Sequence, residues 1–265
     1  MNNRTRFPLG IQLPDPIGAK PQQLAPTLSA LQALGYCVVE LNCVDFSDPL
    51  PLIQTVQNAG LRIGRIATGA WAAREGLSLC SQDPDVRFKT VRLLAGEVLP
   101  FAQACRAQTV LGLIKGGPAP GKQACTALLA QSLRHLCSQA DCPPGSLALE
   151  ATNHYETAAA HQLHEAAALC PPAIDILPDL YHMNIEEASL TAPLVQFAGR
   201  YRNIHFSDNN RYFPGFGRLD FLEILRLLDA LDYPGDVTLE GRIQNDLLAD
   251  AAKSAQYLFT LCERM

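Results

Sequence analysis

An alternation repeated eight times along the chain constrains its fold more than any other feature: a short apolar run, then a longer stretch with apolar residues at helical spacing. The short runs predict strands over 8–13, 37–42, 62–68, 109–114, 146–152, 174–177, 203–207 and 236–239. The longer ones predict helices over 24–34, 50–59, 85–107, 122–139, 156–169, 193–201, 221–231 and 246–263. Gly35 supplies a helix stop, and Asp83 before Pro84 supplies a helix start. Strands separated by helices pair in parallel, because a helical crossover returns the chain to the same edge in the same direction. Eight such units in 265 residues point to one closed (β/α)8 barrel, a fold that takes about 250 residues. One domain over residues 1–265 is expected, since no Ser/Gly linker divides the chain and the Pro/Gly clusters at 116–121 and 142–145 fall between elements.

Composition matters for what it excludes. With 48% hydrophobic and 18% charged residues the chain has material for a large core and lacks the signature of disorder. No apolar run approaches the roughly 20 residues that cross a bilayer. Residues 1–6 lead into no signal-like hydrophobic stretch, so a cytoplasmic location and no membrane partner are expected. Nine cysteines, an odd number without a CxxC pair, read as small buried thiols in a reducing compartment. A net charge of −5 lacks the electropositive surface that nucleic acid requires. Residues 116–123, GGPAPGKQ, satisfy part of a phosphate-binding loop. Gln123 stands where a Ser/Thr would bind Mg²⁺, however, and Pro118 and Pro120 remove backbone donors. Lys115 reads as a solvated loop lysine or a contact to the far end of a substrate. His161 and His164 read as surface residues, and Trp71 as a pocket wall or a core aromatic.

In a parallel barrel the ligand site lies at the carboxyl ends of the strands. Four polar residues end the last four apolar runs: Glu150, Asp179, His205 and Glu240. Three carboxylates and an imidazole gathered in a semi-enclosed space repel one another unless a cation neutralises them, which makes a divalent metal the simplest occupant. A donor set rich in oxygen with one imidazole favours Mn²⁺, Mg²⁺ or Co²⁺ over a structural zinc.

The segments around these residues read Thr68-Gly69 with Glu75-Gly76-Leu77-Ser78-Leu79, EATNHYET at 150–157, DLYHMNIEE at 179–187, HFSDNNRYFPGFGRLDF at 205–221, and Glu240. In order and spacing, over about residues 60 to 245, they resemble the ketose 3-epimerases of the xylose-isomerase-like TIM-barrel superfamily, a group that includes D-tagatose 3-epimerases and 5-keto-L-gluconate epimerases. The resemblance implies that Glu150, Asp179, His205 and Glu240 bind the metal, Mn²⁺ first. It implies that Glu150 and Glu240 also exchange a proton at C3 of a ketose or keto-sugar acid through a metal-stabilised enediolate. Glu156 and His182 would then contact the sugar's oxygens, with Arg211 fixing Glu156 or the substrate. A dimer or tetramer is implied as well. The chain departs from the pattern at Arg218, where relatives carry His, and at Leu180-Tyr181, where they carry Thr-Phe. It departs too at Ala151 and His154, where they carry Pro and Arg. These changes leave the ligand set intact and point to a changed substrate. The rivals are an aldose–ketose isomerase of the hydroxypyruvate isomerase type, an apurinic endonuclease of the same barrel type, and a sugar-binding barrel without turnover. The endonuclease needs a multi-zinc cluster and a basic groove, which six histidines and a net charge of −5 argue against.

Overall fold

In the computed structural model, which describes residues 6–18, 20–117, 119 and 121–265, the eight apolar runs form eight parallel strands. They are β1 (Leu9–Ile17), β2 (Val38–Cys43), β3 (Arg62–Ala67), β4 (Gln108–Leu111), β5 (Leu147–Glu150), β6 (Ile174–Leu177), β7 (Asn203–Phe206) and β8 (Asp236–Leu239). Hydrogen-bonded neighbours run in the order β6-β5-β4-β3-β2-β1-β8-β7. The remaining edges, β6 and β7, meet through a parallel bridge between Asp179 and His205. There the His205 N–H donates to the Pro178 carbonyl at 2.9 Å, and lower down the Ile176 N–H donates to the Arg200 carbonyl at 2.9 Å. The barrel therefore closes where two of the four strand-end residues stand. Pro118 and Pro120, on which the phosphate-loop comparison turned, lie outside the described residues, as do positions 1–5 of the N-terminal stretch.

The helices are α1 (Ala25–Ala33), α2 (Leu50–Asn58), α3 (Gly69–Glu75), α4 (Pro84–Leu93), α5 (Leu99–Ala104), α6 (Lys122–Gln139), α7 (Leu163–Leu169), α8 (Leu180–Glu186), α9 (Thr191–Gln196), α10 (Phe221–Ala230) and α11 (Leu247–Cys262). As expected, Asp83 caps α4, accepting from the Asp85 N–H at 2.9 Å. One π-helical turn, Leu94–Val98, joins α4 to α5. Pro100 accounts for it: proline lacks the N–H of a regular helix and its ring clashes with the carbonyl four residues back, so the wider turn absorbs both faults.

Three expectations change. The helix expected over 156–169 begins only at Leu163, because the chain first folds back, with the Thr152 N–H donating to the Ala160 carbonyl at 3.1 Å and Ala160 at φ 58°. The helix expected over 193–201 is the shorter α9, which ends at Gln196, and α8 adds a helix before it that was not expected. Residues 113–115 form a 3-10 turn after β4.

Side chains alternate across each strand, so one set faces the helices and the other faces the barrel interior. The helix-facing set belongs to the main core, with Ile11, Val39, Leu149, Ile204 and Leu239 in one cluster with helix residues such as Leu28, Leu133, Leu225 and Leu258. At roughly 1.5–3 kcal/mol for each buried Leu or Ile, this layer holds the strands in place. Inside, a second and much smaller apolar cluster joins Val110, Ala148 and Leu177 of β4, β5 and β6. Elsewhere the interior carries polar side chains such as Gln12, Glu40, Arg65, Asn203, Asp236 and Thr238, with Val38 beside Gly10 and Gly64.

Candidate metal centre

The same alternation aims the site. Ala148 lies inside the barrel, so Glu150, two residues on, also points inward at the strand's end. On β8 the inward series is Asp236, Thr238 and then Glu240, and on β7 it is Asn203 and His205. Asp179 follows Leu177 by the same step and caps α8, its Oδ1 accepting from the N–H groups of Tyr181 at 2.8 Å and His182 at 3.1 Å. That cap occupies Oδ1 and turns Oδ2 toward the cluster.

One ligand atom each from Glu150, Asp179, His205 and Glu240 lies within 4.8 Å of the others. His205 Nδ1 sits 2.6 Å from Glu240 Oε2, 3.4 Å from Glu150 Oε1 and 3.7 Å from Asp179 Oδ2. Even so, Glu150 Oε1, His205 Nδ1 and Glu240 Oε2 are buried without an aligned hydrogen-bond partner among the described residues. Buried polar atoms are nearly always satisfied, so three orphans aimed at one point suit a ligand of opposite charge. Divalent cations accept this donor set. Gly112 makes room for it: a Cβ there would lie 2.2 Å from Glu150 Oε2.

The charges confirm how tightly the groups are coupled. Burial and repulsion from Glu240 raise the pKa of Glu150 above the usual carboxylate value, against the pull of His205. Burial also opposes ionisation of Glu240, but Arg211 and His205 outweigh it and hold that carboxyl well below the usual range. Burial disfavours a charged His205, yet Glu40 and Glu240 raise its pKa well above the ordinary value.

Arg211 Nη1 donates to Asp179 Oδ2 at 2.7 Å, and Nη2 donates to Glu240 Oε1 at 2.9 Å. Its guanidinium also lies 5.0 Å from the centroid of the Tyr181 ring. It thus braces two of the four strand-end residues, whereas the resemblance implied that it fixes Glu156 or the substrate. Arg211 has φ 64°, a conformation disfavoured for a side chain of its size, and the surrounding loop imposes it. The buried Asp208 carboxylate organises that loop by accepting the N–H groups of Asn209, Gly215, Gly217 and Leu219 at 2.8–3.1 Å.

His182 is buried with Nε2 3.9 Å from Glu150 Oε1. Its Nδ1 accepts from the Asn153 backbone N–H at 3.3 Å, which assigns the ring proton to Nε2, on the side facing the site. The Asn153 side-chain amide lies 2.7 Å from the same Nδ1 and donates to Glu156 Oε1 at 3.0 Å. All seven residues singled out from the sequence therefore stand in one neighbourhood, with Asn153 joining Glu156 to His182.

Sequence reasoning passed over Asn153, Gly112 and Glu40. Only Glu40 carried a local signal, a charged residue in the middle of an apolar strand. Two other readings need correction. Lys115 is fully buried, with Nζ donating to the Glu150 carbonyl at 2.5 Å and to the Ala160 carbonyl at 3.4 Å, because the 3-10 turn after β4 directs it inward. His161 is also buried, its Nε2 2.9 Å from the Thr157 carbonyl, since the chain it sits on precedes α7 instead of forming an exposed helix. Trp71 packs edge-on against Phe46, with centroids 5.3 Å apart, as part of the core. None of the nine cysteines forms a disulfide.

A family model described as xylose isomerase-like TIM barrel matches residues 28–261. The D-psicose 3-epimerase of Enterocloster bolteae is 26% identical over 227 residues, 80% of this chain and 75% of that one. A 3-dehydro-D-guloside 4-epimerase of Escherichia coli is 38% identical over 89 residues, 34% of each chain. The crystal structure of 3-keto-D-glucoside 4-epimerase from E. coli superposes with a TM-score of 0.78 at 19% identity, covering 97% of this chain and 100% of that one, a likeness of fold.

Proposed function

The chain belongs to the xylose isomerase-like TIM-barrel family, and from that premise we propose that it is a divalent-metal-dependent epimerase acting at C3 of a ketose or keto-sugar acid. Its curated relatives are sugar epimerases and isomerases, and the chain is an isomerase. One observation carries the finer reading: four ligand atoms from four strand ends gather within 4.8 Å, and at Glu150, His205 and Glu240 a buried polar atom has no aligned hydrogen-bond partner among the described residues. Glu150, Asp179, His205 and Glu240 would hold the cation.

Inverting a carbinol carbon next to a ketone requires a proton to leave one face and a proton to arrive at the other. When bound, the cation supplies Lewis-acid stabilisation of the negative charge that develops on the ketone oxygen. Glu150 and Glu240 approach from β5 and β8, three strands apart, and act as the proton-exchanging pair. Arg211 keeps Glu240 ionised and fixed. His182 presents its Nε2 proton to a substrate oxygen, and Glu156, held by Asn153, accepts from a substrate hydroxyl. Three carboxylates with one imidazole favour Mn²⁺ among the hard cations. The reading includes a cytoplasmic dimer or tetramer.

Glu150→Gln and Glu240→Gln are each expected to abolish turnover while leaving the circular dichroism spectrum unchanged; near-normal activity in either removes the pair from the mechanism. Turnover in deuterated water, with the label located by NMR, tests the reaction type. Deuterium at C3 is expected, whereas deuterium at C1 identifies an aldose–ketose isomerase. No exchange with any ketose or keto-sugar acid, together with no bound metal, leaves only a sugar-binding barrel. A second reading draws on the 38% match to the 3-dehydro-D-guloside 4-epimerase: inversion at C4 of a 3-keto glycoside, again a carbinol carbon beside a ketone. Label at C4 of such a substrate would establish it.

A further inference from the structure

We propose that Glu40 is a positioning residue that accepts a hydrogen bond from the Nε2–H of His205, keeps the ring proton there and thereby turns the Nδ1 lone pair toward the cation; the inference rests on the metal-site reading above. Glu40 lies in the middle of β2 and is completely buried. Its Oε2 accepts from His205 Nε2 at 2.9 Å and from Arg65 Nε at 3.0 Å, and its Oε1 accepts from Gln12 Nε2 at 2.8 Å. The carboxylate is thus held by three donors from three other strands and can hardly turn.

Arg65 is anchored in its turn. From β3 it crosses the barrel interior to β8, donating through Nη2 to Asp236 Oδ2 at 2.5 Å and to Thr238 Oγ1 at 2.7 Å. A continuous row of charged groups therefore runs from the lower end of β8 up to the underside of His205. Replacing such a buried triad by well-packed apolar residues is commonly neutral or stabilising, so stability alone gives no reason for the barrel to keep it. Positioning does. A neutral imidazole offers only its unprotonated nitrogen as a ligand, so a protonated Nδ1 would face Glu150, Asp179 and Glu240 with a donor where a lone pair is needed. A carboxylate on Nε2 fixes the ring, the tautomer and the basicity of the other nitrogen together.

The test is calorimetric titration with Mn²⁺ alone of the wild type, Glu40→Gln and Glu40→Leu, with melting in EDTA as the check on folding. The amide oxygen of Glu40→Gln can still accept the Nε2 proton once the Gln12 amide turns over, so a loss of less than about tenfold in affinity is expected. Glu40→Leu removes the acceptor, and a loss of about 10–100-fold is expected. A purely structural role would lower the melting temperature of both variants and leave the affinity of the folded protein unmoved, which would overturn the proposal. If Glu40→Leu does not fold, two-bond ¹H–¹⁵N correlation spectra of the ¹⁵N-histidine-labelled wild type loaded with Mg²⁺ decide. His205, assigned by its loss in His205→Gln, must carry its proton on Nε2; a proton on Nδ1 refutes the idea. A wild type that binds no divalent cation sinks the metal-site reading itself, whereas a wild type that binds Mn²⁺ no better than Glu40→Leu sinks only this inference.

Discussion

Lys115 carries its amine where no water reaches, with two backbone carbonyls as acceptors. Burial lowers its pKa from 10.5 to about 8, and the attraction of Glu150 offsets only part of that shift. Between those two values the unfolded chain holds more protons than the folded one, so stability rises with pH through this window. Below about pH 8 the buried ammonium is a standing cost. In urea unfolding at pH 7, 8, 9 and 10, the wild type should gain on Lys115→Met by an amount on the order of 3 kcal/mol over the full window. Parallel pH profiles for the two proteins would show that the amine is not held in this way. Its partners place Lys115 beneath Glu150 as a strut between β4 and the loop after β5. Burial of this kind cannot be read from a lysine in a Gly/Pro-rich segment, which has the same local composition as a solvated loop.

At the scale of elements, sequence signals were strongest where a cap or a periodic face is local. Asp246 accepts the N–H groups of Leu248 and Ala249 at 3.0 Å and starts α11, and Asp220 does the same for α10. Asp246→Ala should cost about 1 kcal/mol, or a fall of roughly 2–4 °C in melting temperature, with turnover unchanged. A loss of activity at unchanged stability would place α11 in the catalytic machinery instead. Signals failed where a segment folds against distant partners. Residues 156–162 have helical composition, yet the hydrogen bond from Thr152 to Ala160 and the burial of His161 override that propensity. The Asp208 loop is a similar case: one carboxylate gathers four N–H groups and so imposes the left-handed backbone of Arg211.

For the molecule as a whole, the barrel and its proposed cation site should be one thermodynamic unit. The site draws on β5, β6, β7 and β8 and includes the bridge that closes β6 on β7, so a cation bound there stabilises the closed barrel over any opened form. At a free concentration about 100 times its dissociation constant, the cation adds about 2.7 kcal/mol to folding. For a chain of this size that is roughly 5–10 °C in melting temperature between Mn²⁺ and EDTA. Identical melting curves under the two conditions would contradict the proposed site. His205→Gln should reduce most of this difference, while Asp246→Ala should leave it intact.

What the sequence determined by itself was whatever depends on short-range order: eight strand-helix units, hence parallel strands, hence a barrel with its ligand site at the strand ends, and hence Glu150, Asp179, His205 and Glu240 as the residues to watch. Alternation along a strand and turn chemistry are local, and a strand's last inward residue is fixed by counting. Only the tertiary structure decided which groups support those four. Glu40 meets His205 across 165 residues of chain and Arg65 meets Asp236 across 171, contacts that no spacing encodes. Arg211 and Lys115 carry the same lesson. Whether a charged side chain ends in solvent or clamped between carboxylates and carbonyls depends on what closes over it, and that is set by the packing of the whole barrel.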